Sequence, residues 1–436
     1  MSTYLLTATP AHGHIMPLLV LARHLVGAGH RVRFLTSERY RDRITEVGAD
    51  FIALPADADV DLNDPDGAFP GRAGLRGPAA LRFDITNLFL RPGGAQLRAL
   101  DAVLAEGPVD AILTEPLFVG AAMLRERPRN QRPPIVALGI FPLGMKSPDI
   151  APFGLGIPPM RGPLNRPRNA ALTFFAEKVV FGPVVRESVE TFTAAVGHGP
   201  STYFLDWMSR ADAVVQFTVP GFEYPRALPE HVHFVGPLPS PAAADIPLPS
   251  WWHHLDGSKP IVHVTQGTVA NADLEQLIVP TIVGLAASDV VVVVATGGRA
   301  LSALPNPLPA NVFAAEYLPY DRLLPITDVL VTNGGYGGVQ LALGQGIPLV
   351  VAGQTEDKVE VSARVGWSGV GVNLKTNRPG AVKVRDAVER VLSDGSYRAA
   401  ASRISEEMAA ADALAGLDRV LVGLERVAAD PRARLR

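Results

Sequence analysis

The amino-acid sequence predicts an α/β protein made of two similar domains, each built on a parallel β-sheet. In both halves of the chain, short apolar runs typical of buried strands alternate with helical stripes of apolar residues. Such alternation is typical of parallel sheets with right-handed crossover connections. The 436 residues are enough for two domains of about 200 residues each. A hydrophobic content of 47% supplies a core for both.

The first half starts with a strand, a loop and a helix. Residues 4–8 are the predicted first strand, and Pro17 stands where a helix can begin, ahead of an apolar stripe. Because ligands bind at the carboxyl ends of parallel strands, the loop that carries His14 lies at a ligand-binding edge. The further strands predicted here are residues 32–35, 51–54, 109–113, 135–138 and, as the last of this half, 213–216.

The second half repeats the arrangement after a run rich in Pro and Ala at residues 237–250, which we interpret as an interdomain linker. A helix is predicted at residues 274–285, and a final helix at residues 409–427. The predicted strands of this half are residues 261–264, 290–295, 312–314, 329–331 and 349–351.

Charge and composition exclude several classes of protein. The net charge of -3 leaves no basic footprint for nucleic acid. With no cysteine, the chain has no disulfide, thiolate metal site or cysteine nucleophile. The N-terminus lacks a basic segment followed by a long apolar one, so we expect no secretory signal and a cytoplasmic location. No apolar run approaches the ~20 residues of a membrane span.

A glycine-rich turn at residues 332–343 is the strongest local signal. Its sequence, Thr-Asn-Gly-Gly-Tyr-Gly-Gly-Val-Gln-Leu-Ala-Leu, follows an apolar strand and opens a helix. Free backbone N–H groups and the positive end of the helix dipole meet there, which predicts an anion site, with phosphate as the usual anion. The alternative is a turn selected only for tight packing between strand and helix.

This turn resembles the donor-binding signature of the family 1 glycosyltransferases. Gly335, Gly337 and Gly338 match the family pattern, and so does Gln340. The family has His where this chain has Asn333, and a ribose-binding Glu where this chain has Leu341. The resemblance implies the GT-B fold, with two Rossmann-like domains facing across a cleft. The implied division is an acceptor domain 1–236, the linker 237–250, a nucleotide-sugar domain 251–408, and a helix 409–436 that returns to the first domain.

His14 is the predicted catalytic base. Glycosyl transfer to an alcohol needs a base near neutral pH, and histidine suits that role. The segment Gly-His-Ile-Met-Pro around it resembles the Gly-His-x-x-Pro pattern of the family. The family pairs this His with a carboxylate, at the position of Glu115 here. The alternatives are that His14 only caps a backbone group and that Glu115 only caps the adjoining helix.

Further donor-binding residues follow from the resemblance. The family has a Gly-Ser/Thr turn that reaches phosphate, an aromatic residue that stacks on the base, and an acidic turn that contacts the sugar. Asn333 can donate a hydrogen bond to phosphate, although it carries no charge. The corresponding residues here are Gly267, Thr268, Tyr317, Leu318, Asn333, Gly335, Gly337, Gly338, Glu356 and Asp357.

The acceptor site is predicted in two excursions rich in Gly and Pro, at residues 60–100 and 141–167. Phe83, Phe89 and Phe141 are its candidate apolar contacts. We expect no metal site. The Asp-Ala-Asp run that starts at Asp57 contains the Asp-x-Asp pattern that binds Mn²⁺ in another glycosyltransferase fold, but its context does not match.

Together these features predict an inverting, metal-independent glycosyltransferase without a cofactor. The expected donor is UDP-glucose, and the expected acceptor is a bulky apolar natural product such as a macrolide, a rifamycin-like ansamycin or a phenolic. Because Leu341 removes a ribose contact, a dTDP-sugar donor stays open, as in a dTDP-deoxysugar transferase of antibiotic biosynthesis. Two rival functions also stay open, a non-catalytic auxiliary partner of a glycosyltransferase and a nucleotide-sugar epimerase. The oligomeric state is not predicted.

Overall fold

Two parallel sheets organise the molecule, one in each half of the chain. The computed structural model describes residues 1–62, 65–239, 246–268 and 271–429. The strands of the first sheet are β1 (Thr3–Thr7), β2 (Arg31–Thr36), β3 (Asp50–Ala53), β4 (Ala111–Thr114), β5 (Ile135–Gly139), β6 (Ala213–Gln216) and β7 (Val232–Phe234). They lie in the order β3-β2-β1-β4-β5-β6-β7, and their pairings are parallel.

The second sheet has six strands in the order β10-β9-β8-β11-β12-β13. Runs of valine and leucine buried on both faces form its centre, as expected for a parallel sheet covered by helices on both sides. The strands are β8 (Ile261–Thr265), β9 (Val291–Ala295), β10 (Val312–Ala315), β11 (Val329–Thr332), β12 (Leu349–Val351) and β13 (Gly371–Asn373).

Helices cover both sheets. Those of the first half are α1 (His12–Gly27), α2 (Arg41–Glu46), α3 (Pro65–Ala68), α4 (Gly77–Asp84), α5 (Gly93–Glu106), α6 (Val119–Arg125), α7 (Asn165–Phe175) and α8 (Gly182–Val196). Those of the second half are α9 (Ile278–Leu285), α10 (Tyr320–Leu323), α11 (Tyr336–Gly344), α12 (Lys358–Ser368), α13 (Ala381–Ser393), α14 (Gly395–Ala409) and α15 (Ala413–Ala429).

The first half differs from its prediction in three places. The first helix begins at His12, so His14 lies in its first turn and not in a loop, and Pro17 lies inside the helix, where it removes only one N–H group. Its last strand is β7, which pairs with β6, and not residues 213–216. Strand β7 has only three residues and follows a segment with two prolines, so its sequence pattern is too short to predict a strand. The excursion at residues 60–100 is largely helical within its described part, because its apolar residues pack onto the core of the first sheet.

The second half differs at two helices. The predicted helix 274–285 is a 3-10 turn, Leu274–Gln276, followed by α9. The predicted helix 409–427 begins later, since Ala409 ends α14 and the Asp412 carboxylate accepts from the backbone N–H groups of Leu414 and Ala415 at the start of α15. Residues 430–436 of the predicted final segment and 240–245 of the predicted linker lie outside the described residues.

Helix α15 packs on the first sheet. Leu417 and Leu421 are buried in the core formed by β1, β2 and α1. Its polar face is tied to the same half, because His24 Nε2 lies 3.0 Å from an Asp418 oxygen and the Ser2 hydroxyl donates to Glu425 at 2.8 Å. None of the described helices combines the length and apolar character that crossing a bilayer requires. The division of the chain into domains stays a prediction.

Candidate active site

The first crevice of the molecule lies where the order of the first sheet reverses, between β1 and β4. Ligands of open parallel sheets bind outside such switch points. His14 follows β1 in the first turn of α1, and Glu115 follows β4 directly. The topology therefore brings together two residues that lie about a hundred positions apart, and His14 Nδ1 lies 3.0 Å from Glu115 Oε2.

Glu115 is fully buried and saturated with hydrogen-bond donors. Its Oε1 accepts from the backbone N–H of Thr9 at 3.0 Å and from the Thr9 hydroxyl at 2.9 Å. Its Oε2 accepts from the backbone N–H of Leu117 at 2.7 Å. Burial raises the pKa of Glu115, but His14 and these hydrogen bonds outweigh burial and hold the pKa below its ordinary value. The carboxylate thus caps the adjoining backbone and also pairs with the histidine.

The electrostatics of His14 favour its protonated form. Burial lowers the pKa of His14, but the charge and hydrogen bond of Glu115, together with the charge of Asp357, raise it above its ordinary value. Because Nδ1 is engaged by Glu115, Nε2 is the ring nitrogen left to accept a proton. His12 is not part of this pair. Its ring lies 6.4 Å from that of Tyr40, and burial lowers its pKa.

The second crevice lies where the order of the second sheet reverses, between β8 and β11. Gly334 turns the chain with φ +83, and Gly335 is the N-cap of α11. Gly337 and Gly338 are exposed, and a Cβ built on either would meet no other atom within 4 Å. The first turn of α11 therefore presents open backbone N–H groups and the positive end of the helix dipole to a ligand.

The turn after β8 forms the other side of the second crevice. Gly267, at φ +72, and Thr268 are both exposed there. The side-chain amide of Asn333 donates to the Gln266 carbonyl at 2.7 Å, so it ties the two turns together. A contact from Asn333 to phosphate stays a prediction. Leu341 is half-buried against the core of the second half, and the loss of a ribose contact at this position stays a prediction.

The predicted base-stacking residue is accessible. Tyr317 is 54% exposed, whereas Leu318 beside it is buried. A Cβ added to Gly298 would lie 2.3 Å from the Tyr317 hydroxyl, so the phenol packs directly on the Gly298 backbone. The hydroxyl end of the exposed ring therefore lies against the turn that follows β9.

The acidic turn before α12 reaches towards the first crevice. Glu356 has φ 55 and forms an ion pair with Lys358. Burial raises the pKa of Asp357 to about 6, against an opposing effect of His14. The charges of Asp357 and His14 thus act on each other across the two halves of the chain. Lys358 is a residue that the sequence analysis did not select, and its Cβ lies against the glycine turn at Gly334.

The three predicted acceptor residues lie in different surroundings. The Phe141 ring lies 6.3 Å from that of His14 and 6.1 Å from that of Phe153. Phe83 packs edge-on against Phe69 at 6.0 Å. Phe89 packs on the core of the first sheet. Phe141 is thus placed beside the predicted base, and the acceptor role of all three residues stays a prediction.

The acidic run near residue 57 is engaged in ion pairs. Asp57 pairs with Arg98 at 2.6 Å, and Asp61 pairs with Arg39 at 2.5 Å. Within the described ranges, no group of three or more His, Asp or Glu side chains could hold a metal ion.

Thr9 is a site residue that sequence reasoning missed. Its hydroxyl contacts both members of the pair, at 2.9 Å from Glu115 Oε1 and 3.2 Å from His14 Nδ1. Thr9 lies two residues after the end of β1. The chain segment that leads from β1 to His14 therefore also helps to hold the Glu115 carboxylate.

Solved structures of low sequence identity share this fold. The crystal structure of the glycotransferase of kitacinnamycin aligns with a TM-score of 0.72 at 21% identity, covering 96% of this chain and 98% of that one. The calicheamicin glycosyltransferase CalG4 aligns with a TM-score of 0.71 at 20% identity, covering 98% and 99%. Two parallel-sheet domains of this kind form the GT-B fold of glycosyltransferases, which confirms the predicted fold class.

Relatives of higher identity define the family. The 4'-demethylrebeccamycin synthase of Lentzea aerocolonigenes is 40% identical, covering 96% of this chain and 99% of the relative. UDP-glycosyltransferase 2 of Phaeomoniella chlamydospora is 35% identical, covering 94% and 93%. Residues 280–422 match the family described as erythromycin biosynthesis protein CIII-like, C-terminal domain. The chain belongs to the family 1 glycosyltransferases of the antibiotic branch and is a glycosyltransferase.

Proposed function

We propose that this protein is an inverting, metal-independent transferase that works in the cytoplasm and moves a hexose onto a hydroxyl of a bulky apolar natural product. The proposed donor is UDP-glucose. The observation that carries the proposal is the pair of His14 and Glu115 at the first crevice, with 3.0 Å between His14 Nδ1 and Glu115 Oε2. A buried, ionised partner of this kind orients a histidine that acts as a base.

In the proposed reaction, His14 Nε2 removes the proton from the acceptor hydroxyl as its oxygen attacks the anomeric carbon of the sugar. The bond between that carbon and the diphosphate oxygen breaks in the same step, and its electron pair leaves with the diphosphate. Glu115 stabilises the imidazolium that forms. The open first turn of α11 meets the charge of the leaving group, together with Thr268 and Asn333.

The donor assignment rests on named relatives and on the second crevice. UDP-glucosyltransferase 1 of Beauveria bassiana is 34% identical and covers 93% of this chain. Tyr317 offers an exposed ring for the base, and Glu356 and Asp357 offer acceptors for sugar hydroxyls. The half-buried Leu341 offers no acceptor for a ribose hydroxyl, which favours keeping a dTDP-sugar as the second candidate donor.

The acceptor assignment rests on the first crevice. Phe141 and Phe153 place aromatic surface beside His14, and such surface suits an apolar, ring-containing molecule. The relative from Lentzea aerocolonigenes is named for a synthesis of 4'-demethylrebeccamycin. An auxiliary protein without activity would not need a buried carboxylate aligned on His14, so the pair supports catalysis.

Mass spectrometry of reaction mixtures tests this proposal. The purified protein is incubated with UDP-glucose or dTDP-glucose and with macrolide, ansamycin and phenolic acceptors, and His14→Ala is the control. We expect one acceptor class to gain the mass of one hexose with UDP-glucose and not with the variant. UDP binding without product from any pair would contradict the proposal and favour the auxiliary role.

A further inference from the structure

A buried network of charges joins the loop beside His14 to the second half of the chain. We call residues 141–156, which include Phe141 and Phe153, the wall loop. Its first part is held by the first half. The backbone N–H of Leu143 donates to Glu223 Oε1 at 2.9 Å, and the Arg226 guanidinium donates to the Leu143 carbonyl at 2.9 Å.

The far end of the wall loop is held by the second half. The Oε1 atom of Glu360, in the first turn of α12, accepts from the backbone N–H groups of Gly154 at 2.8 Å and Gly156 at 2.9 Å. Glu360 is 4% exposed, so both hydrogen bonds end on a buried carboxylate, while the two glycines are half-buried. Hydrogen bonds from N–H groups to an ionised carboxylate are about twice as strong as neutral ones.

Arg364 connects the two anchors. Its Nη1 donates to Glu360 Oε2 at 2.8 Å, and its Nε donates to Glu223 Oε2 at 3.0 Å. Its guanidinium lies 4.3 Å from the centre of the Tyr224 ring. One buried cation thus bridges a carboxylate of each half. Because taking these three charges out of water is costly, the network adds little net stability compared with apolar packing.

The network lies next to the proposed reaction site. Helix α12 begins immediately after Asp357, whose charge acts on His14, and Glu360 lies three residues further on. At the other end, Phe153 packs on Phe141 beside the His14 ring. Gly156 lies so close to α12 that an added Cβ would fall 2.6 Å from Val359 Cγ2. The same short helix therefore carries the sugar-facing turn and holds the acceptor-facing loop.

We propose that Glu360 is a positioning residue that fixes the wall loop against the donor half, so that both halves of the chain form the acceptor pocket. The inference rests on the proposed function in one respect, since the wall loop is the acceptor wall only if His14 is the base. The attachment of the loop to α12 can be tested without any reaction.

Hydrogen–deuterium exchange of the full-length protein tests the attachment. In Glu360→Gln, a side-chain amide replaces the carboxylate. The NH2 group of this amide is a hydrogen-bond donor, and it then faces the Arg364 guanidinium, which is also a donor. We expect exchange at residues 154–156 to rise roughly tenfold, the effect of losing charged hydrogen bonds. Exchange in β11 and α11 should stay unchanged. Equal exchange of the wall loop in both proteins would overturn the proposal.

Glu407→Gln is the matched control. Glu407 also belongs to the second half and accepts from a backbone N–H of the first, that of Gly221 at 3.1 Å, but it does not contact the wall loop. We expect this variant to leave the exchange of residues 154–156 as in the parent protein. The same rise in both variants would overturn the assignment, because it would reflect general loosening of the two halves.

Steady-state kinetics with the acceptor found by mass spectrometry test the consequence. We expect Glu360→Gln to raise the acceptor KM roughly tenfold, with the kcat and the dissociation constant of UDP within about twofold. A purely structural role would lower kcat and UDP affinity as well, and that outcome would overturn the inference. If the parent protein transfers no sugar while exchange responds as expected, the proposed function fails and the attachment stands.

Gly156→Ala provides a second variant that keeps every charge. Its Cβ would crowd Val359, whereas the Cβ of Gly154→Ala would meet no atom within 4 Å, although both glycines have positive φ. We expect a larger rise in acceptor KM for Gly156→Ala than for Gly154→Ala. Equal effects would show that backbone strain alone is responsible, and would overturn a role for the contact with α12.

Discussion

The two crevices of this protein use the same topology for different chemistry. In each sheet the strand order reverses beside the first strand, and the candidate residues follow the two strands at that point. The first crevice holds ionisable side chains, His14 and Glu115, that pair within the protein. The second crevice holds exposed glycines and a helix N-terminus. In the proposed reaction, side chains handle the proton, whereas backbone groups bind the diphosphate.

Substitutions in the two crevices should affect different quantities. Those in the first crevice should lower kcat, and those in the second should weaken the binding of UDP. The largest effect is expected for His14→Ala, which removes the proposed base. We expect kcat to fall roughly a thousandfold, as for loss of a general base. The dissociation constant of UDP, measured by calorimetry, should change less than about twofold because the proposed donor site lies in the other half. A comparable loss of UDP affinity would contradict this separation.

Gly337→Asp tests the second crevice with the opposite pattern. A carboxylate in the first turn of α11 stabilises the free helix through the dipole, so thermal stability should not fall. The same charge would repel a bound diphosphate, and we expect UDP affinity to drop roughly a hundredfold. Gly337→Asn, of similar size without charge, is the control. Equal affinities for the two variants would show that no anion binds at this turn.

Tyr317→Ala should have a smaller effect, again confined to the donor side. Removing a stacking ring costs about 1–3 kcal/mol per base in nucleic-acid sites. We expect UDP affinity to fall roughly tenfold, and Tyr317→Phe to keep most of it. Calorimetry with UDP and with inorganic diphosphate distinguishes binding of the base from binding of the diphosphate. The affinity for inorganic diphosphate should not change when Tyr317 is substituted.

Leu341→Glu tests how the second crevice selects between ribose and deoxyribose donors. The variant restores a carboxylate at the position where the family binds ribose. We expect the preference for UDP over dTDP to rise roughly three- to tenfold, the effect of one or two hydrogen bonds. Leu341→Gln is the neutral control, with a weaker expected gain. An unchanged ratio of the two affinities would remove Leu341 from donor selection.

Local sequence patterns predicted most of the fold and the two crevices. Apolar runs such as those of β9 and β11 allow few other interpretations, and the glycine turn before α11 is contiguous in sequence. The pairing of His14 with Glu115 required the resemblance as well, because the sheet order that joins β1 to β4 is not local. The helices of residues 60–100 were missed because Gly and Pro weakened their periodicity.

The attachment of the wall loop to Glu360 could not be predicted from sequence. The contact joins residues 206 positions apart, and its donors are the backbone N–H groups of glycines, which carry no sequence signature. Likewise, nothing in the sequence indicates that Thr9 donates a hydrogen bond to Glu115, since threonine at a strand end is common. Long-range contacts to backbone require the folded arrangement.

The pH dependence of kcat/KM in the parent protein and in Glu115→Gln tests whether His14 and Glu115 act together as the base. A base must be neutral to accept a proton, so activity rises as pH rises through the pKa of His14. In the parent protein Glu115 and Asp357 raise that pKa above about 6.5, and activity should be lost as pH falls through the raised value.

Without the charge of Glu115, burial lowers the pKa of His14. We therefore predict that the acidic limb of the profile shifts to lower pH in Glu115→Gln, while the plateau falls roughly a hundredfold because the imidazolium loses its partner. Superimposable profiles with equal plateaus would contradict the claim that His14 and Glu115 act together as the base.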